Sequence, residues 1–292
     1  MSGLAEEKRS FRARGGAVIA YRMHRAGGAG RTLVLIHGLA SNMSRWSEFA
    51  AQTSLQSSWN ILRIDLRGQG GSVFRGPAGM DEWCEDLAGI VDAEGVRSAV
   101  LAGHCLGANL ALRFAAAHPG RVAGLVLIEP MPRRALTGVL RIAALIRPAI
   151  LLLAWTVRGL NALGLYRRRL ETVDLEALDR RARAALAAGA AGAAALRDYA
   201  SPLADLRSMP LAAYLQGLAA LLEPQPDLSG TGVPVLVLTA AHSRFTDAAR
   251  ARRLLDAIPG CEFRELPALH WIPTEAPFEM RAAIEDWGAR RF

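Results

Sequence analysis

The chain has few cysteines, almost no lysine and no long uncharged apolar run, and these shortages narrow the classes of protein it can belong to. Three cysteines in 292 residues are too few for a disulfide framework, and they cannot all pair with one another. No signal peptide precedes them, so we expect a reducing, cytoplasmic location. Lys8 is the single lysine among 35 basic residues, an arginine bias typical of a GC-rich genome.

The most apolar stretch, Leu140 to Leu165, is interrupted by three arginines and broken by Pro148. Its longest uncharged run, Pro148 to Val157, is far shorter than the roughly 20 residues that cross a bilayer. A transmembrane helix is therefore not expected. The net charge of +8 would suit a nucleic-acid partner, but the arginines are scattered and no nucleic-acid-binding module is present, so none is expected.

One motif dominates what the chain does contain. Cys105 lies at the centre of Gly103-His104-Cys105-Leu106-Gly107, between an apolar run that ends at Ala102 and the alanine-rich segment Ala108 to Ala117. This pattern predicts a strand, a sharp turn and a helix, with the cysteine presented at the turn. The flanking glycines make room for a strained backbone, and the first amides of the helix favour a thiolate and can receive an oxyanion.

Two other predicted strands lead into loops of similar character. Thr32 to Ile36 runs into His37-Gly38-Leu39, where the backbone N–H of Leu39 can join that of Leu106 in an oxyanion hole. Asn60 to Asp65 runs into a turn rich in glycine.

A histidine loop follows a predicted strand near the end of the chain. The strand is Cys261 to Leu266, and the loop after it carries His270. A histidine that follows the nucleophile far along the chain has the order of a nucleophile–acid–histidine triad. His270 is therefore the candidate general base.

Together these motifs resemble the α/β-hydrolase fold superfamily over about His37 to Trp271. The oxyanion loop matches at His37-Gly38, the glycine-rich turn at Asp65 to Ser72, the nucleophile elbow at Cys105 and the histidine loop at His270. The resemblance implies an α/β fold with a mostly parallel central sheet flanked by helices and an inserted helical cap. The predicted boundaries are core 1–130, cap 131–230 and core 231–292.

The first departure from the family pattern is the nucleophile, since most members have serine at the position of Cys105. Cysteine elbows of this kind resemble those of dienelactone hydrolases, polyhydroxyalkanoate synthases and some intracellular polyhydroxyalkanoate depolymerases. A thiol needs less help from a base than a hydroxyl does. Its thioester can pass the acyl group to water or to an alcohol, amine or thiol, so hydrolysis and acyl transfer both stay open.

The second departure is the acid, because Ser243 stands where the family usually has aspartate. Glu129 ends the predicted central strand Ala123 to Ile128, and a carboxylate at that strand end projects into the active-site crevice. Some relatives, including a subset of haloalkane dehalogenases, take their acid from this place. If Glu129 is instead paired with an arginine such as Arg133, Asp247 is the alternative acid.

The segment 131–230 lacks the strand–turn–helix alternation and is predicted to be helical. It includes an alanine-glycine helix over Ala184 to Ala195 and a hinge at Tyr199 to Pro202. One interpretation is a set of cap helices packed on the core. The other is an acyl-binding lid that also contacts a membrane surface through its arginines.

The sequence thus predicts a hydrolase of carboxylic esters or thioesters with an apolar acyl group, using a small-molecule substrate and neither metal nor organic cofactor. His270 takes the proton of Cys105, Glu129 orients and stabilises the imidazolium, and the N–H groups of Leu39 and Leu106 hold the oxyanion. The alternatives are an acyltransferase with the same acyl-enzyme and a non-catalytic binding protein on this scaffold. The oligomeric state is not indicated.

Overall fold

The structure, a computed structural model of the chain, describes residues 5–27, 30–187, 202–227 and 230–292. Its eight strands form one sheet in the order β1-β2-β4-β3-β5-β6-β7-β8. The strands are β1 (Glu7–Arg12), β2 (Val18–His24), β3 (Arg31–Ile36), β4 (Trp59–Ile64), β5 (Ala99–His104), β6 (Val122–Ile128), β7 (Val235–Ala240) and β8 (Glu262–Leu266). The described helices are α1 (Ser47–Gln52), α2 (Met80–Ala93), α3 (Leu106–Ala117), α4 (Gly138–Leu145), α5 (Arg147–Ala162), α6 (Leu175–Ala187), α7 (Pro202–Ser208), α8 (Leu211–Leu221), α9 (Ala248–Leu255), α10 (Ile272–Glu275) and α11 (Pro277–Arg291).

The sheet is parallel from β3 to β8, and β2 is antiparallel to both β1 and β4. This confirms the prediction of a mostly parallel sheet flanked by helices. The strands predicted from Thr32, Asn60 and Cys261 begin within one residue of β3, β4 and β8. The β1–β2 hairpin was not predicted, because β1 is an edge strand whose six residues are mostly charged and none of them buried.

Helices cover both faces of the sheet, and the alternating side chains of β5 belong to the two apolar clusters that result. Leu101 joins the apolar cluster that includes α2 and α3, whereas Val100 and Ala102 join the cluster on the other face with α11. Alternate side chains of a strand point to opposite faces, so a sheet covered on both sides needs apolar residues at every position. This is why the central strands were recognisable as uninterrupted apolar runs.

The strand order creates a crevice where the candidate site lies. The chain places β4 on one side of β3 and β5 on the other, so the loops that follow β3 and β5 diverge at the carboxyl edge of the sheet. The register pairs Ile36 with Gly103. The loop that begins at His37 therefore starts beside the turn that carries Cys105.

Between β6 and β7 the described residues form helices α4 to α8 and no strand. Helices α4 and α5 meet at 75°, across a break beside Pro148, the position at which the sequence predicts one. No single described helix has the length and hydropathy of a membrane span; α4 and α5 meet that criterion only when taken together. The predicted helix from Ala184 is described only to Ala187, and the predicted hinge before Pro202 lies outside the described residues.

Candidate active site

Cys105 occupies a strained turn between β5 and α3. Its backbone torsions are φ 53° and ψ −113°, on the side of the map that favours glycine. Its N–H donates to the carbonyl of Ile128 at 2.9 Å, which ties the turn to the end of β6. The side chain is largely buried but lines a cavity. The fold therefore holds the thiol in one orientation, towards that cavity.

The two glycines that flank Cys105 are required by close backbone contacts. A Cβ atom at Gly103 would lie 2.2 Å from the carbonyl oxygen of Gly107. A Cβ atom at Gly107 would lie 2.4 Å from the carbonyl oxygen of Ile36. Only glycine fits at these two positions, because α3 begins in direct contact with the backbones of β5 and β3.

His270 lies between the thiol and a carboxylate. Its Nδ1 is 3.2 Å from Oε2 of Glu129, and its ring lines the same cavity as the thiol of Cys105. Burial by itself lowers the pKa of His270, but the interactions with Cys105 and Glu129 outweigh it and raise the pKa to about 9. An imidazole with a raised pKa is a strong acceptor for the thiol proton.

Glu129 is held by backbone and side-chain donors. Its own φ is 46°, in the left-handed region. Oε1 accepts from the N–H of Ala240 at 2.7 Å, and Oε2 accepts from the hydroxyl of Ser243 at 2.8 Å. Ser243 therefore hydrogen-bonds the carboxylate that contacts His270.

The two alternatives for the acid are located elsewhere. Asp247 caps α9, where its Oδ1 accepts from the N–H of Arg250 at 2.9 Å. Arg133 donates to the carbonyl of Ala144 at 3.0 Å and forms no ion pair with Glu129 among the residues described. The structure thus brings together Cys105, His270 and Glu129 and leaves Asp247 apart.

The two predicted oxyanion donors flank the nucleophile. Leu106 is the first residue of α3, so its N–H has no acceptor within the helix. The loop that carries Leu39 packs against the turn of Cys105. A Cβ atom placed on Gly38 would lie 3.4 Å from Cβ of Cys105.

His37 holds the Leu39 loop and is not a base. Its Nε2 accepts from the N–H of Leu66 at 3.0 Å, and its Nδ1 donates to the carbonyl of Gly38 at 2.8 Å. Burial lowers the pKa of His37 to about 4, which keeps the ring neutral.

Several groups that hold the histidine loop were not predicted. Oε2 of Glu275 accepts from the N–H groups of Leu269 and His270 at 2.9 and 3.1 Å. Nε2 of His104 contacts the carbonyl oxygen of His270 at 3.0 Å, and the Phe245 ring packs edge-on against the imidazole at 4.7 Å between centroids. The only sequence signal was the position of Glu275 shortly after the histidine.

A buried ion pair joins the site to α6. Arg45 donates to the carboxylate of Asp179 and, at 2.6 Å, to the hydroxyl of Thr274. The three residues come from the loop after β3, from α6 and from α10, so no local motif announces them. The cluster fixes α6 beside the loop that carries His270.

The thiol and imidazole open on a cavity of about 1280 Å³. Its remaining wall comes largely from the segment between β6 and β7, with Leu140 and Leu218 among the apolar side chains. Within the described residues no cluster of three or more His, Cys, Asp or Glu side chains could hold a metal ion. The arrangement places a thiol and an imidazole on the wall of a partly apolar cavity, with a carboxylate behind the imidazole.

The chain is similar to known proteins along most of its length. The model of the alpha/beta hydrolase fold family matches residues 31–277. A putative carbamate hydrolase, RutD, of Caulobacter segnis is 33% identical over 119 residues, which are 39% of this chain and 44% of that protein. The chain thus matches less than half the length of this curated relative.

Solved structures match along nearly the whole chain. An enol-lactonase from Burkholderia xenovorans LB400 superposes with a TM-score of 0.67 and 22% identity over 97% of this chain and 99% of that one. A hydrolase from Pseudomonas aeruginosa PA01 superposes with a TM-score of 0.67 and 23% identity over 96% of this chain and 98% of that one. Since the family model covers most of the sequence and these structures share its fold, the chain belongs to the alpha/beta hydrolase fold family.

Proposed function

We propose that the protein hydrolyses carboxylic esters or thioesters with an apolar acyl group through an acyl-cysteine intermediate. The observation that carries the proposal is the position of His270, which lines the same cavity as Cys105 and lies 3.2 Å from Oε2 of Glu129. The names of its relatives, a carbamate hydrolase and an enol-lactonase, support hydrolysis as the reaction class.

In the first half-reaction His270 accepts the proton of Cys105 while Sγ attacks the carbonyl carbon. The developing oxyanion accepts hydrogen bonds from the backbone N–H groups of Leu39 and Leu106. Glu129 keeps the imidazolium oriented and offsets its charge. When the tetrahedral intermediate collapses, the departing alcohol or thiol takes the proton from His270, and the acyl group remains on sulfur as a thioester.

In the second half-reaction water replaces the leaving group. Neutral His270 removes a proton from this water as it attacks the thioester carbonyl, and the same two N–H groups hold the second oxyanion. Collapse returns the proton to the Cys105 sulfur and releases the carboxylic acid. The reaction therefore needs only the residues named and a substrate that fits the cavity.

The helical segment between β6 and β7 acts as the cap of this cavity. Leu140 from α4, together with Leu218 and Leu221 from α8, faces the space above Cys105. These side chains favour an apolar acyl group over a charged one, because burying a charge without a partner is costly. Cap shape then sets the length of acyl chain that is accepted.

The test is intact-protein mass spectrometry after brief mixing with p-nitrophenyl butyrate, together with the rate of nitrophenol release. We expect an acyl adduct that appears and decays, and Cys105→Ala should lose it and lower the release rate by at least about a thousandfold. Cys84→Ala and Cys261→Ala are matched controls, because burial raises the pKa of each of these thiols to about 12.

Three outcomes would overturn the proposal. Unchanged turnover in Cys105→Ala would remove the cysteine mechanism. An adduct that persists in water and is released only by an added alcohol or thiol would make the protein an acyltransferase. No adduct and no nitrophenol with any ester in a chain-length series would favour the binding role.

A further inference from the structure

The two helices that follow β6 expose an unusual amount of apolar surface. Of the sixteen large hydrophobic side chains that are exposed in the described residues, eleven lie within 139–166. Leu145 and Leu163 are 75% and 77% exposed. Helix α4 buries only Ala144 and α5 only Ala154. An apolar surface of this extent marks an interaction site.

The same segment carries charge of one sign. Residues 131–170 contain eight arginines and neither aspartate nor glutamate. Arg141 lies one helical turn from Leu145, and Arg158 one turn from Trp155, so cations and exposed apolar side chains share helix faces. Apolar side chains set among arginines are the composition of helices that lie in the interface of an anionic membrane.

A shallow pocket on α5 adds aromatic side chains to this surface. It has a volume of about 780 Å³, and Trp155, Tyr166, Arg75 and Arg158 are among its lining residues. The guanidinium of Arg75 lies 4.2 Å from the centroid of the Tyr166 ring. Tryptophan and tyrosine favour the headgroup level of a bilayer, where one end of the ring is apolar and the other is hydrated.

We propose that α4 and α5 form a docking surface for the face of a bilayer that contains anionic lipids. A second copy of the chain fits this surface less well. In a two-fold dimer the same surface of both copies is in contact, so arginines of one copy would face arginines of the other. Residues 131–170 contain no acidic side chain that could offset this repulsion.

The docking surface adjoins the catalytic cavity. Val139, Leu140 and Ala143 of α4 line that cavity, while Ile142 and Leu145 of the same helix are exposed. A bilayer on the exposed side of α4 would therefore lie one helix away from the space above Cys105. The docking itself does not depend on the proposed chemistry and is tested without it.

The test is co-sedimentation of the full chain with vesicles of phosphatidylcholine alone and of phosphatidylcholine mixed with phosphatidylserine. We expect stronger binding to the mixed vesicles, with salt weakening it. Each arginine near an anionic surface strengthens binding about fivefold, so Arg141→Gln with Arg158→Gln should weaken it about 25-fold. The control, Arg97→Gln with Arg253→Gln, removes the same charge outside the docking surface and should bind as the wild type does.

A second variant tests the apolar part. Ile142→Ser with Leu145→Ser should reduce binding to both kinds of vesicle, whereas Phe278→Ser, an exposed aromatic on α11, should not. The proposal is overturned if the wild type does not bind the mixed vesicles, or if the two arginine variants bind equally. It is also overturned if the chain sediments as a lipid-free dimer that Ile142→Ser with Leu145→Ser dissociates, since the occupant is then a second copy.

Discussion

Two apolar helices of this protein use their side chains in opposite ways. Helix α3, which follows Cys105, buries nine of its twelve residues against the sheet. Helix α5, between β6 and β7, buries one of its sixteen. Packing thus holds the helix that follows Cys105 in place, whereas α5 leaves apolar side chains such as Leu152 and Trp155 exposed.

The largest effect is expected at the buried carboxylate of Glu129. Glu129→Gln keeps the shape of the side chain but removes the charge that stabilises the imidazolium, so we expect kcat/KM for a p-nitrophenyl ester to fall about a thousandfold. Asp247→Asn, at the cap of α9, should change kcat/KM less than about twofold, because it lies apart from the reacting groups. Equal effects of the two substitutions would contradict the triad.

Helices α3 and α5 should also respond in opposite ways when a glycine in each is replaced by alanine. Gly107→Ala would press a Cβ atom to 2.4 Å from the carbonyl oxygen of Ile36, and we expect it to lower the free energy of unfolding by at least about 3 kcal/mol. A Cβ atom at Gly159 in α5 meets nothing within 4 Å, so Gly159→Ala should raise that free energy by about 0.5 to 1 kcal/mol. Urea unfolding of both variants measures the contrast, and a loss of stability at Gly159 would contradict it.

The ionisation of the buried His270 should make the stability of the fold depend on pH. Its pKa in the folded chain is raised from the ordinary 6.5 to about 9. The folded state therefore binds the proton more tightly, and this contribution to stability is complete below about pH 6.5 and is lost as the pH rises through 9.

We expect the free energy of unfolding to fall by about 3 kcal/mol over this range through His270. The fall should be smaller in Glu129→Gln, because one of the interactions that raises the pKa is weakened. NMR titration of the imidazole gives a direct check, and half-titration below pH 7 in the wild type would exclude the proposed pairing.

The smallest effect is expected on the exposed face of α4. Leu145→Ala removes a side chain that is 75% exposed, so the free energy of unfolding should change by less than about 0.5 kcal/mol. The same truncation at Leu112, fully buried in α3, should cost about 3 kcal/mol. Thermal or urea unfolding of the two variants measures these changes. A large loss of stability in Leu145→Ala would mean that this face of α4 is packed against something in solution.

Much of the fold was predictable because its signals are local. The strand before Cys105, the two glycines and the helix after it lie within a single stretch of sequence and satisfy one another's backbone geometry. The central strands were visible as apolar runs because both faces of the sheet are covered. The β1–β2 hairpin was not visible, because β1 lies at the edge of the sheet and its mostly charged residues give no such run.

The turn of Cys105 and the loop of His270 could be located from the sequence, since each is specified by neighbours within a few residues. The tertiary structure was needed to show which carboxylate meets His270, because Glu129 follows β6 and Asp247 follows β7, and their positions depend on how these elements pack. It alone placed Ser243 on Glu129 and joined Arg45 to Asp179. Such contacts join residues more than a hundred positions apart, and their distances depend on the packing of whole elements.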